Sequence, residues 1–97
     1  MRTQPQIISG YSLMKTNHVK LLFFATIRER AGAKVMEMDI SDDLTIQGLK
    51  DKLARDIPAL KDSMKSVLIT INREYAFDEA IVPADAEIGM FPPVSGG

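Results

Sequence analysis

The densest apolar run in the chain is Val19-Lys20-Leu21-Leu22-Phe23-Phe24-Ala25-Thr26. Its apolar residues occupy both parities, the pattern of a central strand covered on one face and partly on the other. Ile27 to Gly32, carrying Arg28, Glu29 and Arg30, reads as a turn or short helical loop that Gly32 closes. From Lys34 to Ile40 the pattern alternates, Met36, Met38 and Ile40 against Glu37 and Asp39. That alternation predicts a half-buried strand and, with the first strand, a β-hairpin. The period then changes. Ile46, Leu49, Leu53 and Ile57 recur at helical spacing, with Lys50, Asp51, Lys52 and Arg55 on the opposite face. Thr45 is a good N-cap, and Leu44 before it is placed to staple onto Leu49. Pro58 stops the helix, because the residue before a proline disfavours the α region. Gly48, inside the first turn, costs up to ~1 kcal/mol relative to alanine, and the sequence offers no firm reason for it.

Beyond the helix, Ala59 to Lys65 is predicted as a short second helical turn with Leu60 and Met64 inward. Val67 to Ile71 is dense in β-branched residues and predicts a strand. Asn72-Arg73-Glu74 reads as a turn, Tyr75 to Phe77 as a short strand, Ala84-Asp85 as another turn, and Glu87 to Phe91 as the final strand. The order is ββαββ(β) with one main helix. This is an α+β roll, a mixed sheet of four to five strands over the helix, as in ubiquitin-like β-grasp domains. Residues 1–17 lack sustained periodicity and are expected to form a poorly ordered N-terminal extension. Residues 18–91 are expected to be the domain, and 92–97 a flexible tail.

Charge narrows the partners. Twelve basic and thirteen acidic residues give a net charge of −1, without the electrostatic footprint of a nucleic-acid or anionic-membrane binder. No apolar run approaches the ~20 residues of a membrane span. The chain has no cysteine, which removes disulfides, Cys-based metal sites and a cysteine nucleophile, and fits a cytoplasmic protein. The single histidine, His18, reads as a surface residue, and no His–Ser or His–Asp spacing points to a self-contained hydrolase.

The remaining chemistry sits at the end. Phe91-Pro92-Pro93-Val94-Ser95-Gly96-Gly97 runs from an apolar strand into two prolines and two glycines. Proline fixes φ and lacks an N–H, so Pro92-Pro93 leaves the sheet as a stiff, extended stem. Gly96 and Gly97 have no β-carbon, so the terminus is thin enough for a narrow channel. The six residues from Pro92 reach roughly 20 Å when extended.

The opening Val19-Lys20-Leu21-Leu22-Phe23-Phe24-Ala25-Thr26-Ile27-Arg28-Glu29 and the closing Phe91-Pro92-Pro93-Val94-Ser95-Gly96-Gly97 resemble the MoaD/ThiS family of sulfur carriers, and within it the small subunits of molybdopterin synthases. The Leu44-Thr45 helix start and the Ile71-Asn72 turn lie between them in the expected order, so the resemblance spans residues 19–97. It implies a carrier with no turnover of its own and no bound cofactor. An activating enzyme, an ATP-dependent adenylyltransferase, would join AMP to the Gly97 carboxylate. A sulfur donor would then displace AMP and leave a glycyl thiocarboxylate. The tail would enter the large synthase subunit, in a heterotetramer, and give sulfur to cyclic pyranopterin monophosphate. Carried over by residue, Gly97 bears the chemistry and Gly96 gives steric access. Ser95 and Val94 line the partner's channel, and Pro93 and Pro92 keep the tail extended. Phe91 matches a position that packs against partners, Arg28 a loop position that reaches an acidic partner group, and Tyr75 falls on the same sheet face. Against these stand an ordinary core place for Phe91 and a solvated loop cation at Arg28.

Two departures stand out. Met90-Phe91 replaces the family's frequent Phe-Phe, a change expected to keep the site apolar and adaptable. Ala84-Asp85-Ala86-Glu87 replaces a Gly-Asp turn, which leaves that turn's geometry open. Three other readings remain: a thiazole-pathway sulfur carrier, which usually lacks the Phe-Pro-Pro stem, a ubiquitin-like modifier that forms isopeptide bonds, and an interaction domain with an inert tail.

Overall fold

A computed structural model describes residues 15–93. Strand β1 (Thr16–Phe23) sends Val19, Leu21 and Phe23 inward, where all three are buried, and leaves Leu22 half-buried on the other face. It takes in Thr16 and Asn17, which pair with Ser41 and Ile40, so the sheet starts within the stretch the sequence assigns to the N-terminal extension. Helix α1 (Ala25–Ala31) follows at once, where the sequence predicts strand as far as Thr26 and then a turn or short helical loop closed by Gly32. A short apolar run cannot separate strand from helix by itself. Here the change comes at Phe24, extended at φ −121°, and Ala25, left-handed at φ 53°. Gly32 ends the helix in the left-handed region at φ 74°, its N–H donating to Arg28 O, a geometry that suits a residue without Cβ.

Strand β2 (Val35–Ser41) runs antiparallel to β1, Leu22 opposite Val35 and Lys20 opposite Glu37. Helix α2 (Ile46–Asp56) then crosses the inner face with Ile46, Leu49 and Leu53 fully buried in one core with Leu21, Phe23, Ile88 and Met90. Thr45 caps it as predicted, Gly48 N–H donating to Thr45 Oγ1 at 3.1 Å. Leu44 explains the glycine: a Cβ at Gly48 would lie 2.5 Å from Leu44 Cδ1. The expected second helical turn is two 3-10 turns, Pro58–Leu60 and Ser63–Lys65, which bury Leu60 and Met64.

Strand β3 (Leu68–Ile71) and the two-residue strand β4 (Glu74–Tyr75) form a hairpin whose linking residues, Asn72 and Arg73, both have positive φ (50° and 75°). That is the geometry of a type I′ turn, whose twist matches the strands. Strand β5 (Glu87–Phe91) inserts between β1 and β3, antiparallel to β3 and parallel to β1. The finished sheet has the order β2-β1-β5-β3-β4. This is the mixed β-grasp sheet that the element order predicts, with α1 added to the one main helix. The parallel pairing has a consequence for the tail. It brings the ends of β1 and β5 out at the same edge of the molecule, so Phe24 meets Phe91.

Candidate functional site: the tail stem and the sheet face beside it

Along β5 the pleat sends Ile88 and Met90 into the core and Glu87, Gly89 and Phe91 to the outer face. Phe91 is half-buried there, its ring stacked on that of Phe24 with centroids 4.4 Å apart and planes 3° from parallel. Such a pair contributes about 0.5–1.5 kcal/mol beyond its buried area. Phe24 N–H donates to Met90 O at 3.1 Å, so backbone and rings tie the two strand ends together. Gly89 makes room for the arrangement. A Cβ there would stand 2.5 Å from Thr70 Oγ1 and 2.9 Å from Phe91 Cε1. Leu22, Phe24, Gly89, Phe91 and Thr70 line an open groove of about 330 Å³, with Arg73 and Glu87 on its wall. The face is a shallow, mainly apolar surface with one charge of each sign.

The stem leaves from this groove. Pro92 is half-buried and Pro93 exposed, and both border a second hollow of about 220 Å³ with Thr26, Ile27, Arg30 and Ser63. Arg30 Nη1 donates to Ser63 Oγ at 2.7 Å and closes the side of that hollow. The prolines therefore leave the sheet along α1, in a direction set by a helix and a loop rather than by the tail itself.

The structure brings Phe91, Pro92 and Pro93 together at this edge. Arg28 lies one helical turn from Phe24, donating its backbone N–H to Phe24 O at 3.3 Å, with its side chain exposed. Among the described residues no carboxylate pairs with it. Val94, Ser95, Gly96 and Gly97 lie outside the described residues, as do residues 1–14. Tyr75 pairs with Thr70 and so shares the outer face by register, but it lines the hollows beyond β4 and not the Phe24–Phe91 groove. Met90 corrects an expectation. It is fully buried in the core, so its replacement of a family phenylalanine alters packing under the sheet, not the face beside the tail. The altered turn closes with Asp85 at φ 57° and its N–H donating to His18 O at 2.8 Å. Sequence reasoning missed Phe24, Leu22, Gly89, Arg73 and the Arg30–Ser63 pair. The signal available was Gly89, since a glycine inside an apolar strand marks a close approach of another group.

At the far end of β1, His18 stands between two β2 carboxylates, Nε2 at 2.6 Å from Glu37 Oε1 and Nδ1 at 2.9 Å from Asp39 Oδ1. With an acceptor at each nitrogen the doubly protonated ring fits best. The bond to Glu37, then that to Asp39, raise the His18 pKa, and the same ring lowers that of Glu37.

Residues 21–97 match the model of the ThiS family. The chain is 34% identical over 79 residues to a molybdopterin synthase sulfur carrier subunit of Arabidopsis thaliana, covering 81% of this chain and 82% of that protein. It is 34% identical over 84 residues to the protein of that name in Escherichia coli strain K12, covering 81% of this chain and 99% of that protein. Among solved structures, the crystal structure of SAMP1 from Haloferax volcanii superposes with a TM-score of 0.71 at 29% identity, over 84% of this chain and 100% of that one.

Proposed function

Because the chain belongs to the ThiS family, we propose that it is the sulfur-carrier subunit of a molybdopterin synthase. Its working group is the Gly97 carboxylate. A carboxylate is a poor acyl donor, so the first step is attack of a Gly97 carboxylate oxygen on the α-phosphorus of ATP, releasing pyrophosphate and forming the acyl adenylate. The terminal sulfur of a donor persulfide then attacks the carbonyl carbon, and AMP leaves with the C–O bond electrons. A second thiol attacks the donor's sulfur in the resulting acyl disulfide, forming a disulfide with the donor and leaving the thiocarboxylate on Gly97. In the large subunit's active site this soft sulfur bonds to cyclic pyranopterin monophosphate. Water then cleaves the acyl C–S bond, leaving the sulfur on the pterin and restoring the Gly97 carboxylate. The domain turns over nothing by itself. It presents the tail and supplies the surface that orients it.

The observation that carries this reading is the junction of Phe24, Phe91, Pro92 and Pro93. The stacked rings hold the end of β5, and the prolines leave next to a mainly apolar face. A partner seated on that face would receive the tail at a fixed origin and heading, which lowers the entropy lost on insertion. Arg73 on the groove wall and Arg28, exposed one helical turn from Phe24, are suited to acidic groups on the large subunit.

Incubating the protein with an activating enzyme, ATP and a sulfur donor is expected to add the mass of one oxygen-to-sulfur exchange at Gly97. Deleting Gly97 is expected to abolish it. No mass change in the intact protein would overturn the carrier reading. Reconstitution with a large synthase subunit and the pterin precursor then separates this pathway from thiazole synthesis. A second reading has one observation in its favour, 30% identity over 82 residues to small archaeal modifier protein 1 of Haloferax volcanii. Its mark would be conjugates of this chain on lysines of other proteins, formed with the same activating enzyme.

A further inference from the structure

Three of the five exposed large hydrophobics among the described residues fall within seven positions: Tyr75 on the edge strand β4, then Phe77 and Ile81 after it, at 73%, 80% and 51% exposure. Isolated exposed hydrophobics are ordinary, but a cluster of them on a small domain marks an interaction surface. The segment Tyr75-Ala76-Phe77 forms a rib between two hollows. One, about 730 Å³, is floored by Ile71, Ala76 and Ala80 and edged by Glu74 and Glu79. The other, about 550 Å³, is lined by Val67, Leu68, Ile69 and Lys50. Neither shares a lining residue with the groove beside the tail.

The backbone at the rib is open as well. Ala76 N–H donates to Ile69 O, so in the antiparallel alternation Ile69/Ala76 and Ile71/Glu74 are the bonded pairs and Thr70/Tyr75 the unbonded one. The N–H and C=O of Tyr75 therefore point away from β3, along the free edge.

Charge identifies the occupant. Around the rib stand Glu74, Asp78 and Glu79. Lys50 Nζ lies 2.7 Å from Asp78 Oδ1 and neutralises it, while among the described residues Glu74 and Glu79 have no cationic partner. A second copy docked by twofold symmetry would bring these unpaired acids together. A basic segment would pair with them instead. We propose that the β4 edge is a docking site for a basic, extended peptide segment of a partner protein. The segment adds alongside Tyr75, seats apolar side chains in the hollows on either side of Phe77, and places cations against Glu74 and Glu79. Phe77 and the two hollows lie outside the groove assigned above to the large subunit, although Tyr75 shares its sheet face by register.

The test uses the full chain, isotopically labelled, with an acetylated peptide of alternating lysine and valine, and its glutamate–valine counterpart as control. Expected are saturable binding of the basic peptide, amide shift changes confined to residues 67–81, and no binding of the acidic one. Phe77→Ala, a change on the surface that leaves the core intact, should weaken binding about tenfold, and Glu74→Gln with Glu79→Gln should weaken it further. Sulfur transfer with the large subunit should be unchanged in Phe77→Ala, so failure here and failure of the carrier reading are told apart. Shift changes spread over all acidic surfaces, or centred on Phe24 and Phe91, would overturn the proposal. So would a Phe77-dependent dimer in sedimentation without peptide, which would make a second copy the occupant.

Discussion

Two glycines show how the same clash distance leads to different outcomes at the scale of one residue. A Cβ at Gly48 or at Gly89 would meet a side-chain atom at 2.5 Å. At Gly48 that atom is the tip of Leu44, a half-buried side chain with rotamers to spare, and alanine favours the helix by up to ~1 kcal/mol. Gly48→Ala should therefore leave stability within about 0.5 kcal/mol of the parent in urea unfolding, because these effects oppose each other. At Gly89 the neighbours are β-branched Thr70 and the ring of Phe91, which Phe24 holds in its stack. Gly89→Ala should cost about 1–3 kcal/mol and weaken large-subunit binding together with it. His18 gives a pH signature. Its pKa is raised by Glu37 and Asp39, so its contribution is full below the ordinary imidazole range and lost as pH rises through the raised value. Glu37 has the opposite sign: its contribution is present above the ordinary carboxylate range and lost as pH falls through the lowered value. Both groups are solvent-exposed, so the effect is modest and screened by salt. The melting temperature should fall as pH rises from the ordinary imidazole range through the raised His18 value, and His18→Gln should flatten that slope. An unchanged slope in the variant would remove His18 as its source.

At the scale of elements, the hairpin turn between β3 and β4 joins local strain to the docking face. Asn72 suits positive φ and also ties the turn to β5, its side-chain oxygen accepting from Glu87 N at 2.9 Å. Arg73, at φ 75°, adopts a conformation that an L-residue pays for with about 1–2 kcal/mol, and its side chain stands over the Phe24–Phe91 groove. Arg73→Gly should raise unfolding stability by about 1 kcal/mol while weakening large-subunit binding, a split that a purely structural arginine would not give. Most elements were legible because each has its own signal: alternation in β2, the 3.6-residue period and Thr45 cap of α2, β-branched density in β3, and proline after β5. Helix α1 was not. Only Ile27 among its seven residues is buried, so it has no apolar stripe to read. Strand pairing was also out of reach of local pattern. Nothing in Val19–Phe23 or Glu87–Phe91 states that the two strands are parallel neighbours, yet that pairing places Phe24 on Phe91. Thus the tail motif was visible in the sequence, but the aromatic clasp beneath it was not.

For the whole molecule, the question is how a rigid sheet controls a chemical group six residues away. The core anchors β5 through Ile88 and Met90, both fully buried, and the outer face fixes Phe91 against Phe24. Pro92 and Pro93 carry that fixed direction outward because each has little φ freedom left to lose. Replacing both with glycine keeps every core contact and the Gly97 carboxylate, but frees two residues that must be ordered again on insertion. Ordering each costs about 1 kcal/mol or more, so the variant should bind the large subunit roughly 30-fold more weakly. Its unfolding free energy should stay within about 0.5 kcal/mol of the parent, since Pro92 is half-buried and Pro93 exposed. Thiocarboxylate formation at saturating activating enzyme should reach the same extent, because the carboxylate chemistry is untouched. Calorimetric titration against the large subunit, with mass spectrometry of the tail, reads both quantities on one preparation. Unchanged affinity with a normal thiocarboxylate yield would mean that the prolines only separate the tail from the sheet, and that the large subunit's channel alone determines its path.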